Sequence, residues 1–290
     1  MVTTGTFDGV HIGHQSILRR LKEIAHEVKG ETVLLTFWPH PRQVLYNDQD
    51  LRLIQTLEER QEKLAEVGVD HLIIHPFTKD FSRLTSLEFI RDQLVNGIHT
   101  HRLVIGYNHQ FGRNREGSFE HLKEYAPVYG FEVEEISAQD IDQVNVSSTK
   151  IREALAKGDI LTANQYLGDP FRISGQVVKG DQIGRTLGYP TANIEIPESY
   201  KLIPSQGVYA VKVLIEGFAY KGMLNIGNRP TLNGTDQRIE VHLFDFNKDI
   251  YNKWVRIEFV DFLREDVKFD SLNELKNQLS IDAEQAKSRF

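Results

Sequence analysis

The first half of the chain alternates two hydrophobic periods. Val2, Thr3 and Thr4 form a short β-branched run, and apolar residues then recur at Ile17, Leu18, Leu21, Ile24, Ala25 and Val28, a spacing that predicts a helix over 15–28. A strand over 31–37, a helix over 56–66, a strand over 70–76 centred on Leu72, Ile73 and Ile74, a helix over 86–96 and a strand over 102–105 continue the alternation. Strand, helix and strand in succession imply a Rossmann-like parallel sheet with right-handed crossovers. Beyond Phe171 the period changes to two. The runs 173–178, 209–215, 238–244 and 255–262, separated by glycine and polar turns, predict a small antiparallel β-barrel, and only the tail, 271–290, reads as helix. Gly168 followed by Pro170 ends the last helical pattern of the first half, so the expected domains are 1–169 and 170–290.

Composition narrows the class. A length of 290 residues favours two domains, and 40% apolar with 26% charged residues is ordinary for a globular protein. A net charge of −7 without a long Lys/Arg cluster argues against nucleic acid as a partner. There is no cysteine, which removes disulfides, thiolate nucleophiles and zinc–thiolate sites. No apolar run approaches the ~20 residues needed to span a bilayer, and no signal-peptide pattern opens the chain. A cytoplasmic protein is the expectation; composition is silent on oligomeric state.

Chemistry concentrates first in residues 1–14. A strand meets Gly5, turns through Thr6, Phe7, Asp8 and Gly9, and delivers His11 and His14 where a helix begins. The free N–H groups of a helix start form an anion site, and residues three apart there share a face. The P-loop and dinucleotide-binding glycine patterns are absent; the core is H-x-G-H. Two surface histidines would explain a bare H-x-x-H about as well, but the strand and glycines of the same string favour a phosphate site.

Further strings follow. Trp38-Pro39-His40-Pro41 ends a strand, with His40 read as a rigid-turn residue ahead of a ligand contact. Gly106-Tyr107-Asn108-His109-Gln110-Phe111-Gly112 follows another strand end, where open α/β sheets place ligands. Ser147, Ser148 and Thr149 precede a helical run; capping accounts for one hydroxyl but not for three beside Lys150 and Arg152. In the second half, residues 180–193 form a glycine-punctuated loop ending Gly-Tyr-Pro-Thr-Ala-Asn. Asn225 to Thr231 reads N-x-G-x-R-P-T. On the strand over 239–246, Glu240 and His242 share one face, and a carboxylate pointing into or across a barrel mouth is a candidate base, an exposed salt bridge being the plainer alternative.

Together these strings resemble the bacterial bifunctional riboflavin kinase/FMN adenylyltransferases, also called prokaryotic FAD synthetases, over nearly the whole chain. The H-x-G-H core alone would imply only the wider nucleotidyltransferase superfamily. The resemblance implies an α/β nucleotidyltransferase domain that adenylylates FMN with ATP, giving FAD and pyrophosphate. It also implies a β-barrel domain that phosphorylates riboflavin to FMN. For the adenylyltransferase it implies ATP contacts at Gly5, Thr6, Phe7, His11, His14, Asn108, Ser148, Thr149 and Arg152, with His11 and His14 catalytic and Asn108 also at the flavin. For the kinase it implies ATP contacts at Gly180, Gly184, Pro190, Thr191 and Asn193, Mg²⁺ on Thr191 and Asn193, Glu240 as general base at the flavin, and Arg264 on the flavin. At position 109 the family usually carries an aromatic residue; here it is His109. Members usually carry a further segment before the glycine-led signature, whereas this sequence opens almost on it, as a chain numbered from an internal point also would. A nucleotidyltransferase acting on another phosphate, or a non-catalytic flavin binder, are the alternatives that Thr191, Asn193, Glu240 and the intact histidines disfavour.

Overall fold

A computed structural model describes residues 1–48, 50–107, 109–136, 146–180, 183–231 and 234–290. It divides into two units, Met1–Ser148 and Thr149–Phe290. In the first, β1 (Val2–Thr4), β2 (Val33–Trp38), β3 (His71–Pro76), β4 (Arg102–Gly106) and β5 (Glu132–Ile136) form a parallel sheet in the order β3-β2-β1-β4-β5. The chain winds outward from β1 to β3 and then returns to the other side of β1, so strand order reverses between β1 and β4. Open α/β sheets bind ligands at the carboxyl side of such a reversal. The glycine-led motif leaves β1 at that point.

The helix α1 (Ile12–Glu27) follows the motif, and its periodic face is buried at Leu18, Leu21 and Ile24 against Leu34 and Val104. Pro39 and Pro41 end β2 as expected, and α2 (Pro41–Tyr46) begins on His40, whose Nδ1 accepts from the Arg42 N–H at 3.2 Å. That use matches the rigid-turn reading of His40. The helix α3 (Leu57–Val67) starts with a capping box between Thr56 and Glu59. α4 (Ser86–Glu88) continues as a π-helical segment over Phe89–Val95, where one helix was expected. α5 (Phe119–Tyr129) covers the other face of the sheet beside Phe89, Leu103 and Ile105.

The second unit holds α6 (Ser148–Ala156) from Thr149 onward and α7 (Ile160–Leu167), then β6 (Arg172–Val178), α8 (Ile183–Thr186), β7 (Ala192–Glu195), β8 (Gly207–Ile215), β9 (Phe218–Thr231), β10 (Gly234–Leu243), β11 (Trp254–Arg264) and α9 (Leu272–Lys287). The strands close into an antiparallel barrel in the order β10-β7-β6-β11-β8-β9. Phe171, Tyr209 and Phe259 fill its interior, with Tyr209 edge-on to Phe259 at 5.1 Å. The α7 side chain of Asn164 donates to the Phe259 carbonyl at 2.9 Å, tying that helix to the barrel strands. Outside the barrel, Ala210, Met223 and Phe244 pack against Ala283 and Ala286 of α9, small residues that let the helix lie close to the strands.

Candidate active sites

The turn after β1 is built by its own carbonyls. The Thr6 carbonyl accepts from the Arg60 guanidinium at 2.6 Å and from the Thr36 hydroxyl at 3.3 Å, and the Val10 carbonyl accepts from the Gln15 amide at 2.9 Å. Asp8, almost fully buried, accepts from the N–H groups of Ile54 and Gln55 at 3.2 and 3.3 Å, holding the approach to α3 against the turn. Phe7 (φ 48°) and Val10 (φ 39°) take left-handed conformations that cost free energy for residues with a Cβ, most of all for a β-branched one. Asp8 and Arg60 were not among the expected site residues, because their work is to hold a backbone rather than to touch a ligand.

At the helix start His11 is the N-cap, and its Nδ1 accepts from the His14 N–H at 3.4 Å. A neutral ring that accepts through Nδ1 carries its proton on Nε2. The His11 and His14 rings stack at 3.6 Å, and Phe7 packs against His14 at 4.6 Å. Burial first, then the neighbouring His11 and Arg60, hold the His14 pKa well below the usual histidine range, so its ring is neutral near pH 7. Gly13 sits where a side chain would be crowded. A Cβ on it would meet Val146 at 3.1 Å and the His11 ring at 3.3 Å.

Ser148 reaches the same turn, its hydroxyl donating to the Asp8 carbonyl at 2.9 Å. The structure therefore brings Ser148, at the start of α6, to His11, His14 and the Gly5–Val10 turn; Thr149 and Arg152 follow on the helix. Asn108 lies outside the described residues. Its neighbour His109 stacks on Phe111 at 6.0 Å, with a buried Nε2 that has no hydrogen-bond partner among the described residues, and burial pushes its pKa down to about 4.

In the barrel the register joins residues far apart in sequence. Asn193 of β7 lies opposite Glu240 of β10, Glu240 opposite Asn225 of β9, Asn225 opposite Val208 of β8, and Val208 opposite Arg264 of β11. Directly opposed residues share a face. That face is the outer one, because Ile239 and Val241 on either side of Glu240 are buried inward, so Glu240 points along the outside of the barrel rather than into its mouth. Arg238, two residues before it, stands 3.6 Å from the Glu240 carboxylate, and the Thr191 hydroxyl lies 3.5 Å from its other oxygen.

His242 sits two residues further on, its Nδ1 2.8 Å from the Pro190 carbonyl, and with Tyr189 edge-on at 5.3 Å it anchors the loop that presents Thr191. Gly180 faces Asn193 so closely that a Cβ would overlap its amide, and a Cβ on Gly184 would overlap the Tyr189 carbonyl. Beside Thr191 opens a cavity of about 430 Å³, lined by Val241 and Leu243 and rimmed by Arg185, Lys248 and Tyr251. Arg264, expected on the flavin, is held by α9. Its Nε and one terminal nitrogen pair with Asp282 at 2.8 and 2.7 Å.

A helix start carrying two stacked histidines at the reversal point of a parallel sheet, and a barrel whose outer face gathers a threonine, an asparagine and a carboxylate, define a two-domain nucleotide-dependent transferase. The FAD synthetase family matches residues 1–150 and the riboflavin kinase family residues 167–290. The chain is 40% identical over 290 residues to the bifunctional riboflavin kinase/FMN adenylyltransferase of Haemophilus influenzae, covering 100% of this chain and 94% of that one. It is 38% identical over 293 residues to the protein of the same description from Escherichia coli K12, covering 100% and 92%. A crystal structure described as a macrolide-efflux protein from Streptococcus pneumoniae superposes with a TM-score of 0.91 at 34% identity, covering 99% of this chain and 93% of that one. Among the described residues no helix is long and apolar enough to cross a membrane. The chain belongs to the bifunctional riboflavin kinase/FMN adenylyltransferases: it phosphorylates riboflavin to FMN and adenylylates FMN to FAD, with ATP as co-substrate of both steps.

Proposed function

We propose that the two steps use separate sites, with residues 1–169 carrying the adenylyltransferase and 170–290 the kinase. In the adenylyltransferase an FMN phosphate oxygen attacks the α-phosphorus of ATP and pyrophosphate leaves. The nucleophile is already an anion and needs no base, so the task is to stabilise charge developing on the transferred group. His11 and His14 suit it as neutral N–H donors, with Gly5, Thr6 and Phe7 lining the approach. Ser148, Thr149 and Arg152 at the start of α6 hold the β- and γ-phosphates, aided by the helix dipole. Asn108 is assigned to the ribose and flavin side. The stacked His11–His14 pair at a helix start tied to Ser148 carries this reading.

In the kinase, Glu240 accepts the proton of the riboflavin 5′-hydroxyl as that oxygen attacks the γ-phosphorus of ATP, and ADP leaves. Thr191 and Asn193 offer hard oxygen donors beside the Glu240 carboxylate. Such a set fits Mg²⁺, which takes few protein ligands and completes its shell with phosphates and water. Bound there, the ion neutralises phosphate charge. Gly180, Gly184 and Pro190 shape the loop over the nucleotide, whose base suits the cavity beside Thr191. The observation that carries the kinase reading is the register pair Asn193–Glu240 with Thr191 at 3.5 Å. A cytoplasmic setting and riboflavin, FMN and ATP as the partners complete the proposal.

Chromatography of products tests the division. Glu240→Gln should stop FMN formation from riboflavin, with a loss of about 10²-fold or more, while still converting supplied FMN to FAD. His14→Ala should do the reverse. Parallel loss of both activities in either variant overturns the assignment.

A further inference from the structure

Asp282 is the one carboxylate of α9 that is completely buried. The Arg264 guanidinium makes three hydrogen bonds to two groups. Two nitrogens pair with Asp282 at 2.8 and 2.7 Å, and the remaining terminal nitrogen donates to the Glu265 carbonyl at 2.8 Å, the first residue of the loop leaving β11. Gln278, one turn before Asp282, donates to the same carboxylate at 2.9 Å and fixes its rotamer. The loop held in this way presents Asp266, whose Oδ1 accepts from the Asn225 side-chain amide at 3.2 Å. Asn225 is the residue directly opposite Glu240 across β9 and β10. Gly227 leaves room for this approach, since a Cβ there would stand 3.1 Å from Asp266 Oδ2.

We propose that Asp282 is a positioning residue of the kinase: through Arg264 it sets the 265–270 loop so that Asp266 and Asn225 form the riboflavin side of the Glu240 site. The inference rests on the reading of Glu240 as the base. Attachment of α9 to the barrel has its own apolar basis in Ala283 and Ala286 against Ala210 and Met223, whereas the Arg264–Glu265 bond serves only the loop. A buried carboxylate is costly unless every lone pair is used. Here both oxygens accept, in a bidentate geometry that fixes the plane of the guanidinium and hence the direction of its third contact. The nucleotide side of the site, Thr191 and Asn193, lies on the other flank of Glu240, so disturbance of this chain of contacts should reach riboflavin and spare ATP.

The full-length protein tests this by separate Michaelis constants in the kinase reaction. Asp282→Asn keeps the shape but loses the ionic pair, and the KM for riboflavin should rise about tenfold while the KM for ATP stays within about twofold. Asp266→Ala, in an exposed loop where folding is not at stake, should move the same constant in the same direction, and it decides the matter if Asp282→Asn does not fold. Exchange of the partners, Arg264→Asp with Asp282→Arg, should leave the riboflavin KM raised, because a carboxylate at position 264 has no N–H to donate to the Glu265 carbonyl. Parental riboflavin constants in a folded Asp282→Asn and in Asp266→Ala overturn the proposal, as does a parallel rise of both constants, which marks a merely structural role. Glu240→Gln, measured alongside, separates the two readings: retained turnover there removes the base assignment and this inference with it, whereas lost turnover with unmoved riboflavin constants removes this inference alone.

Discussion

His109 shows how one side chain sets a pH dependence. Its ring is buried against Phe111, and the folded protein holds it neutral down to about pH 4, against about 6.5 for an exposed histidine. A folded-state pKa below the unfolded one means that the stability it supports is complete above about pH 6.5 and is lost as pH falls toward 4. The loss amounts to about 3 kcal/mol when complete. Urea denaturation across that range should show a steep acid limb, shallower by this amount in His109→Phe. Curves of equal slope would contradict it. His14 acts in the same direction, since its pKa is lowered too. Neither shift could be read from sequence, which shows that position 109 is a histidine but not that its Nε2 is sealed. His11 and His14 were legible because three-residue spacing at a helix start fixes a shared face; Arg60 and Asp8 were not, because their partners are backbone groups of distant segments.

Among the elements, α3 has an unexpected task. Its capping box at Thr56 follows directly on the Ile54 and Gln55 N–H groups that grip Asp8, and its Arg60 grips Thr6, so the helix start and the Gly5–Val10 turn are one hydrogen-bonded unit. Thr56→Ala should cost about 1 kcal/mol of stability. It should also slow FAD formation more than FMN formation, as steady-state rates of the two reactions would record. Helices such as α1 and α3 were readable because their periodicity and caps are local. β5 was missed because Glu132, Glu134 and Glu135 break any apolar alternation, and as an edge strand that pairs, among the described residues, with β4 alone it needs none. β9 was missed as a strand because Gly222, Gly227 and Pro230 interrupt its pattern, and its Asn-x-Gly string read as a loop. The line from Asn193 through Glu240 and Asn225 to Arg264 is a product of barrel register, which no single segment encodes.

At the scale of the molecule, two sites share one chain and one co-substrate but differ in chemistry. On the proposed assignment, one stabilises an anion attacking another anion at a helix start, and the other deprotonates an alcohol on the outside of a barrel. Gly180→Ala, which drives a methyl group into the Asn193 amide, should lower kinase turnover about tenfold or more and leave FAD formation from FMN at the parental rate. Fold class and the two activities were legible because each half carries a distinct period and a dense signature. The side of the barrel that Glu240 faces was not, since period two assigns two faces without saying which is inside.

Complementation measures the central claim most directly. Glu240→Gln and His14→Ala are assayed with riboflavin, ATP and Mg²⁺, each alone and then mixed. Two independent sites predict unconverted riboflavin from the first, FMN alone from the second, and FAD from the mixture, because FMN released by one protein is adenylylated by the other. A mixture that yields no FAD, or a single variant that loses both reactions, would contradict the account.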